Sequence, residues 1–379
     1  MKASWSVLLA VLAAFAPRVA PSTAPSPPIA PSDAWRIVLA PVELVFPRDH
    51  GAHDDYQTEW WYATGELASD DGARFGVQLT LFRQGLAPGP LPPGASPLRA
   101  REGFAGHLAI VDLATGRLAL AERSRRGVPG LAEASSTTLD ARLDGWTMRL
   151  DERGVLLLDA ADRARGMKLA LELTPEKPLV LHGEGGVSAK GGADGKASVY
   201  ASWTRMRARG TLATEGREHR VEGAAWFDHE YGTTQLGAGV VGWDWFGLRL
   251  DDGRELMVYR LRRADGSAEP ASGATLVAKD GSSRSIPLSR FAFEARSTWT
   301  SPRTDAVYPS SWRVACPEEG LDLVITPRAQ DCELDTRAST GVVYWEGPVA
   351  VTGSVMGGGY AELTGYATGL PRSLGVSKK

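Results

Sequence analysis

The chain has 379 residues, of which 43% are hydrophobic, and this length allows two domains that each bury a core. Its formal net charge is −3, without the clustered basic residues of a nucleic-acid-binding protein, so nucleic acid is not expected as a partner. The 43 glycines and 24 prolines separate short apolar runs, as in a chain with many turns.

The first residues have the pattern of an export signal. Met1 and Lys2 give a positive start, and the apolar run 5–16 is too short to cross a bilayer comfortably. We therefore predict a signal peptide at 1–20, a Pro-, Ser- and Ala-rich tether at 21–34, and export to the bacterial periplasm or medium. An uncleaved anchor is the alternative, and no later segment approaches membrane-spanning length.

Period-two alternation dominates the remaining chain, and long helical periodicity is nearly absent. Many short strands at even spacing predict an all-β fold, either a sandwich or a barrel. The predicted strands are 58–67, 74–82, 103–112, 117–122, 146–150, 155–159, 168–174, 204–212, 220–227, 243–250, 255–261, 275–279, 291–295, 312–316, 321–325, 341–345, 349–353 and 360–364.

The two halves repeat one pattern. Trp60-Trp61 precedes an Asp-Asp-Gly turn at 70–72, and Trp243-Asp244-Trp245 precedes another at 251–253. This repetition indicates duplication of an antiparallel unit. We predict an N-terminal domain at 35–235 and a C-terminal domain at 236–379.

Two predicted loops exceed ordinary hairpin lengths. The loop 86–98 is rich in proline and glycine, and the loop 183–196 is rich in glycine and lysine. Either loop could cover the mouth of a barrel as a lid.

Asp228-His229-Glu230 is the leading catalytic candidate, and Trp226 and Tyr231 flank it. On a strand, the two acids point to one face and the histidine to the other, but at a bulge all three could reach one cavity. A carboxyl group beside a tryptophan wall should have a raised pKa and could act as a general acid, with histidine as a proton relay. A structural hydrogen-bond network is the equally weighted alternative.

The second tryptophan cluster places Trp243 and Trp245 on one strand face and Asp244 on the other. Paired tryptophans can bind a polyene or stabilise a carbocation, although core packing is their commoner use. Glu59, beside Trp60 and Trp61, forms a similar combination of acid and tryptophan. For Glu59, however, a buried ion pair with Arg205 or another arginine is favoured over a catalytic role.

The acidic segment 49–55 contains His50 and His53, which are weak candidates for a divalent metal site, because a polar surface loop has the same composition. The other histidines, His107, His182 and His219, are expected to be structural.

Cys316 and Cys332 flank the predicted strand 321–325. Export favours a disulfide between them across a hairpin, and two buried free thiols are the alternative.

Seven segments follow one another in a recognisable order: FPRDHGAH (46–53), EWWYATG (59–65), GVQLTLFR (76–83), AWFDHE (225–230), GWDWF (242–246), YWEG (344–347) and GYAELTGY (359–366). In these segments the chain resembles the AttH/CrtC family, described as carotenoid 1,2-hydratase-like proteins or secreted hydrolases. The resemblance implies two tandem lipocalin-like antiparallel β-barrel domains. It also implies hydration of a terminal double bond of a linear carotenoid, without a redox cofactor.

Carried over, the resemblance makes Asp228 or His229 the proton donor or relay, with Trp243 and Trp245 facing a tertiary cation. Tyr231 stands where the family often has tryptophan, and the export signal fits the secreted branch, so carotenoid itself is in doubt. Relatives beside ABC-type permease genes imply lipid handling at the envelope.

Our hypothesis is an exported protein that binds an apolar isoprenoid, polyene or lipid-like ligand and performs hydration or hydrolysis without a cofactor. The catalytic candidates are Asp228, His229, Asp244, Glu230 and Tyr231. The ligand-binding candidates are Glu59, Trp60, Trp61, Gln78, Trp226, Trp243 and Trp245. The competing hypotheses are a non-catalytic lipid carrier and an accessory protein of an ABC-type transporter.

Overall fold

The structure, a computed structural model, describes residues 34–89, 96, 100–192, 195–233 and 236–367. The predicted signal peptide, nearly all of the predicted tether and most of the predicted lid 86–98 lie outside these ranges. None of the helical segments in the described ranges has the length and apolar character needed to cross a bilayer.

The first sheet contains thirteen antiparallel strands in the described part of the chain. They are β1 Thr58–Ser69, β2 Arg74–Gly85, β3 Glu102–Asp112, β4 Leu118–Arg126, β5 Ala132–Ala134, β6 Asp140–Leu143, β7 Trp146–Leu150, β8 Leu156–Asp162, β9 Met167–Pro175, β10 Val180–Leu181, β11 Val187–Ala189, β12 Ala197–Thr214 and β13 Arg217–Gly232. The sheet curls, so that β3 and β4 approach β5 and β6 across its opening.

The second sheet contains ten strands, again within the described ranges. They are β14 Val240–Leu250, β15 Glu255–Arg263, β16 Gly273–Val277, β17 Ser283–Pro287, β18 Ala292–Thr300, β19 Val307–Cys316, β20 Leu321–Pro327, β21 Glu333–Thr336, β22 Val342–Gly353 and β23 Gly357–Thr364. Four short 3-10 helical segments complete the described secondary structure: Arg48–His50, Arg163–Arg165, Leu288–Arg290 and Pro317–Glu319.

The two sheets share one strand order, which supports the predicted duplication. The first runs β4-β3-β2-β1-β13-β12-β9-β8-β7, and the second runs β17-β16-β15-β14-β23-β22-β20-β19-β18. In each sheet the first long strand therefore pairs with the last, β1 with β13 and β14 with β23. The exact domain boundary near 235 stays a prediction.

Each curled sheet encloses its own apolar core. The first core contains Trp61, Leu79 and Trp146, and the second contains Phe246 and Trp312. A third, aromatic cluster lies between the outer faces of the two sheets, and its members are Tyr62, Tyr200, Trp226, Trp245, Met257 and Tyr360, with Trp60, Trp243 and Tyr259 at its margin. The central strands are therefore covered on both faces.

Most predicted strands are present, and the departures have local causes. Gly72 and Gly253 adopt positive φ in the two predicted Asp-Asp-Gly turns, as such turns require. The predicted strands 341–345 and 349–353 are one strand, β22, which changes its neighbour from β21 to β20 near Pro348. Proline has no N–H to donate to a ladder, and it is tolerated here because the partner strand changes at this position.

Buried ion pairs link the two sheets. A bulge in β12 after Trp203 releases Arg205 toward the second sheet, where its Nε lies 2.5 Å from Glu255 Oε1. Lys177 Nζ lies 2.8 Å from Glu255 Oε2. Glu255 is fully buried, so its carboxylate depends on these two cations.

The predicted disulfide is wrong, because Cys316 and Cys332 are both buried free thiols. Cys316 is paired with Leu321 at the start of β20, whereas Cys332 lies beyond the far end of that strand, against Gly347. A strand rises about 3.3 Å per residue, so β20 itself separates the two thiols.

Candidate functional site

A cavity of about 190 Å³ lies between the outer faces of the two sheets. A lid over the mouth of a barrel would require a ligand cavity inside that barrel, but both barrel interiors are filled by apolar cores. Aromatic residues dominate the lining: Trp60, Tyr62, Phe82, Tyr200, Trp243, Trp245, Tyr259 and Tyr344. The acidic and basic side chains that line it are Arg83, His107, Lys190, Asp228, Glu230, Glu346 and Glu362.

Asp228 lies on the cavity face of β13 and is only 3% exposed. Its carboxylate accepts hydrogen bonds from Trp226 Nε1 at 2.6 Å, from the Tyr200 hydroxyl at 2.9 Å and from Ser202. Burial nevertheless raises the pKa of Asp228 to about 7, because desolvation outweighs these three donors. The group can therefore hold or release a proton near neutral pH.

Glu230, two residues along the same face, has a cationic partner. Lys190 Nζ lies 2.9 Å from Glu230 Oε1, and Ser198 donates to the same oxygen. The ammonium group also lies over the rings of Tyr200 and Tyr259. Burial disfavours the charged amine, but Glu230, together with Tyr259 and Asp228, outweighs burial and raises the pKa of Lys190.

The second sheet contributes two carboxyl groups that face each other, and neither forms an ion pair with a cation in the described part of the chain. Glu346 on β22 is directly opposite Glu362 on β23. Glu362 accepts from Trp243 Nε1 at 3.0 Å and from Thr364 at 2.9 Å, and burial raises its pKa to about 7. Neither oxygen of Glu346 has a hydrogen-bond partner among the described residues.

Burial, with the neighbouring Glu362 carboxylate, raises the pKa of Glu346 well above its usual range. The nearby hydroxyls of Tyr62 and Tyr344 oppose this shift but do not cancel it. Like charges in direct cross-strand contact repel, so the pair holds at least one proton at neutral pH.

Strand alternation divides the predicted catalytic motif between two faces. Asp228 and Glu230 reach the cavity, whereas His229 points into the first barrel, where its Nε2 lies 2.9 Å from Glu59 Oε1. The β1–β13 register is regular here, with Trp61 opposite His229, so no bulge brings the histidine to the cavity. His229 is therefore excluded from chemistry at the cavity.

Glu59 lies at the centre of this second, fully buried cluster. Its Oε1 faces His53 Nδ1 at 2.8 Å as well as His229, and its Oε2 accepts from Arg83 Nε at 2.9 Å. His53 Nε2 in turn lies 3.0 Å from Asp49 Oδ1. The predicted partner of Glu59, Arg205 or another arginine, is thus Arg83.

The same cluster contains the donor set best suited to a metal in the described residues. Ligand atoms of His53, Glu59 and His229 lie within 4.8 Å of one another. His50, the other predicted metal candidate, instead packs between the tilted rings of Phe46 and Trp203, and burial lowers its pKa to about 3.

The remaining predicted site residues also lie off the cavity. Tyr231 stacks on His53 with 3.6 Å between ring centroids, and Trp61 stacks on His229 inside the first barrel. Asp244 points away from the cavity and pairs with Arg262 at 3.0 Å, as alternation with its tryptophan neighbours predicts.

Two further candidates stand directly behind the cavity wall. Gln78 donates to Thr80 at 2.5 Å, and Trp226 donates to Asp228. Trp60, Trp243 and Trp245 are the predicted ligand-binding residues that do line the cavity.

Sequence reasoning missed Lys190, Tyr200, Glu346 and Glu362 as site residues. Glu346 and Glu362 lie in two of the family segments, and each stands two residues after a tyrosine of its strand. Lys190 belongs to the predicted lid 183–196, part of which forms β11 against β12.

Comparisons with known proteins agree with this architecture. The sequence profile of the AttH-like family matches residues 37–366. The crystal structure of a protein from Nitrosomonas europaea described as an AttH is 36% identical, covers 87% of this chain and 100% of its own, and superposes with a TM-score of 0.78. Kievitone hydratase from Nectria haematococca is 14% identical, covers 89% of this chain and 98% of its own, and has a TM-score of 0.64. No curated protein matches in sequence. The predicted all-β architecture of two lipocalin-like barrels is confirmed.

Proposed function

The chain belongs to the AttH-like family, as the sequence segments indicated, and on that premise we propose that it is an acid–base enzyme of the hydration or hydrolysis type. Its ligand is an apolar isoprenoid, polyene or lipid-like molecule held between the two sheets. One observation carries the proposal: Asp228, Glu346 and Glu362 converge on one aromatic cavity, each with a raised pKa. Uncompensated buried acids are costly, and such groups concentrate at active sites.

Glu346 is the proton donor in this proposal. It is protonated at neutral pH because it is buried beside the carboxyl group of Glu362. Transfer of that proton to an alkene carbon uses the π electron pair to form the C–H bond. The adjacent carbon becomes a cation, and Glu346 becomes a carboxylate.

Aromatic rings supply the stabilisation that such a cation needs. Trp243 and Trp245 line the same wall as the carboxyl pair, and the Tyr62 ring meets Trp245 edge to face at 5.6 Å. The negative faces of such rings attract a cation, more strongly where water is excluded. Water then adds through an oxygen lone pair, and its surplus proton passes to Glu362, which restores the shared proton of the pair.

The first sheet has a different role, because its acids are held by donors. Asp228 accepts three hydrogen bonds, and Glu230 is paired with Lys190. These groups orient the polar end of the ligand, and the Tyr200 hydroxyl, which also accepts from Trp245 Nε1 at 3.1 Å, extends the network toward the tryptophan wall.

Kievitone hydratase, whose name denotes a hydration activity, shares the fold of this chain, and this similarity of fold is compatible with hydration. The family assignment is equally compatible with hydrolysis, in which the carboxyl pair would activate water toward an ester. Export to the periplasm and contact with an ABC-type permease stay predictions.

The test begins with organic extraction of the purified chain and mass spectrometry of what is released. The extracted ligand is then incubated with protein in H₂¹⁸O. Hydration gives a single product that is heavier by one labelled water, and hydrolysis gives two products with the label in the acid. Glu346→Gln should retain the ligand and form no product.

Retention of an apolar ligand without conversion by the wild-type chain would favour the carrier hypothesis over an enzyme. Turnover by Glu346→Gln at the wild-type rate would remove the assigned proton donor.

A further inference from the structure

The cluster of His53, Glu59 and His229 lies outside the proposed reaction and on the opposite face of β1 and β13. We propose that it is a binding site for one divalent transition-metal ion of the Zn²⁺ type, held by His53 Nδ1, His229 Nε2 and Glu59 Oε1. Imidazole nitrogen with one carboxylate oxygen is a donor set that such ions prefer.

The short contacts among these three ligand atoms require a positive charge between them that neutral imidazole rings do not supply. A neutral imidazole has one ring proton, and when His53 Nε2 donates that proton to Asp49 Oδ1 at 3.0 Å, none is left for Nδ1. Nδ1 is then a bare lone pair, yet it faces Glu59 Oε1 at 2.8 Å. His229 Nε2 faces the same oxygen at 2.9 Å. Either additional protons or one metal ion must lie among these three atoms.

Partners of the three ligands match those around known metal sites. Metal-binding histidines usually donate their other ring N–H to a carboxylate or to backbone. His53 does so to Asp49, and the ring of His229 also bonds the backbone of Asp49. Glu59 is oriented through its second oxygen, Oε2, which accepts hydrogen bonds from Arg83 Nε and from the backbone N–H of His53.

The dimensions and the access route also suit an ion. A tetrahedral Zn²⁺ with ligands at about 2.0–2.1 Å separates neighbouring ligand atoms by about 3.3 Å. Each imidazole nitrogen would therefore move about half an ångström away from Glu59 Oε1, and the two nitrogens, which lie within 4.8 Å of each other, would take the same spacing of about 3.3 Å. A second, polar pocket of about 460 Å³ is lined by Asp49, His53 and Tyr231, with acidic Asp54 and Asp55 beside them. Cations can therefore reach His53 from solvent.

A bound ion would fix the segment 48–53 to β1 and β13 directly behind the cavity wall. Glu59 and His229 flank Trp60 and Glu230 in the β1–β13 register, and those two residues line the cavity. The ion is thus assigned a positioning role, and the acid–base proposal does not depend on it.

The experiment uses the full chain without a histidine tag, stripped with a chelator and then supplied with Zn²⁺ or Co²⁺. We expect one equivalent of Zn²⁺ to remain after gel filtration, visible absorption of tetrahedral Co²⁺, and a higher melting temperature with metal. His229→Gln should abolish retention and the Co²⁺ bands, and Asp49→Asn should weaken affinity about 10–100-fold.

His219→Gln is the matched control, because His219 is also a buried histidine of β13 beside an aspartate, Asp71, but lies outside the cluster. It should bind metal as the wild type does. A wild-type chain that remains folded and retains no ion would overturn the proposal and leave additional protons as the positive centre. Undiminished binding by His229→Gln would place the ion elsewhere. The wild-type Co²⁺ spectrum decides the matter even if a variant fails to fold.

Discussion

Replacing Asp228 with asparagine should remove a pH-dependent part of the stability of the folded chain. Burial raises the pKa of Asp228 from 3.8 to about 7. Below about pH 4 the carboxyl is protonated in both states, so its contribution is fully present. Between about pH 4 and 7 the unfolded chain releases a proton that the folded chain keeps, so the free energy of unfolding falls as pH rises. Above about pH 7 the contribution of Asp228 to the free energy of unfolding is completely lost.

The size of the effect follows from the shift. A difference of about three pKa units at about 1.4 kcal/mol each amounts to about 4 kcal/mol. Asparagine has the shape of the protonated acid and never ionises. The free energy of unfolding of Asp228→Asn, measured by urea denaturation, should therefore fall by about 4 kcal/mol less than that of the wild type between pH 4 and 8.

The control is Asp159→Asn, which changes an exposed aspartate of β8 and should leave the pH profile of the wild type unaltered. Parallel profiles for the wild type and Asp228→Asn would show that Asp228 ionises as readily in the folded chain as in the unfolded one. The description of the cavity as a desolvated acid site would then be refuted at this residue.

Three further outcomes are expected. With the extracted ligand as substrate, Glu346→Gln should lower kcat by about 10²–10⁴-fold with little change in KM, because only the proton donor is lost; an unchanged kcat would exclude that role. Glu255→Ala should cost about 3–5 kcal/mol in urea denaturation, since Lys177 and Arg205 lose their buried partner; a loss below about 1 kcal/mol would contradict the docking account. Ellman's reagent without reductant should find two thiols per chain in denaturant and none in the folded state; no thiols in denaturant would restore the Cys316–Cys332 disulfide.

The all-β class and most strands could be predicted because alternation and Asp-Asp-Gly turns are local properties of the chain. The position of the cavity could not, because it depends on how the two sheets pack. A local signal nevertheless existed: Trp60 and Trp61 are adjacent on β1, so they must point to opposite faces, and both faces are covered. Such a strand belongs between two packed layers.

The site residues show the same contrast between features that are local in the sequence and features that depend on tertiary packing. Alternation correctly separated Asp228 from His229 and Trp243 from Asp244. The prediction failed where it relied on a bulge to bring His229 to the same cavity as Asp228. Glu346 gains its importance from Glu362, a partner on the next strand, and cross-strand register is not visible in either segment alone. Short strands such as β10 and β11 were missed because two or three residues cannot show a period.

The repeated architecture explains why the two halves of the cavity differ chemically. Tyr62 and Ser202 are the cross-strand neighbours of Asp228, and Trp245 and Glu346 are those of Glu362. Ser202 donates to the acid beside it, whereas Glu346 in the equivalent position repels one. That one exchange replaces a hydroxyl donor by a second carboxyl group, and the resulting pair must keep a proton. This difference is why we propose proton donation by the second half of the fold, and binding and orientation of the ligand by the first half.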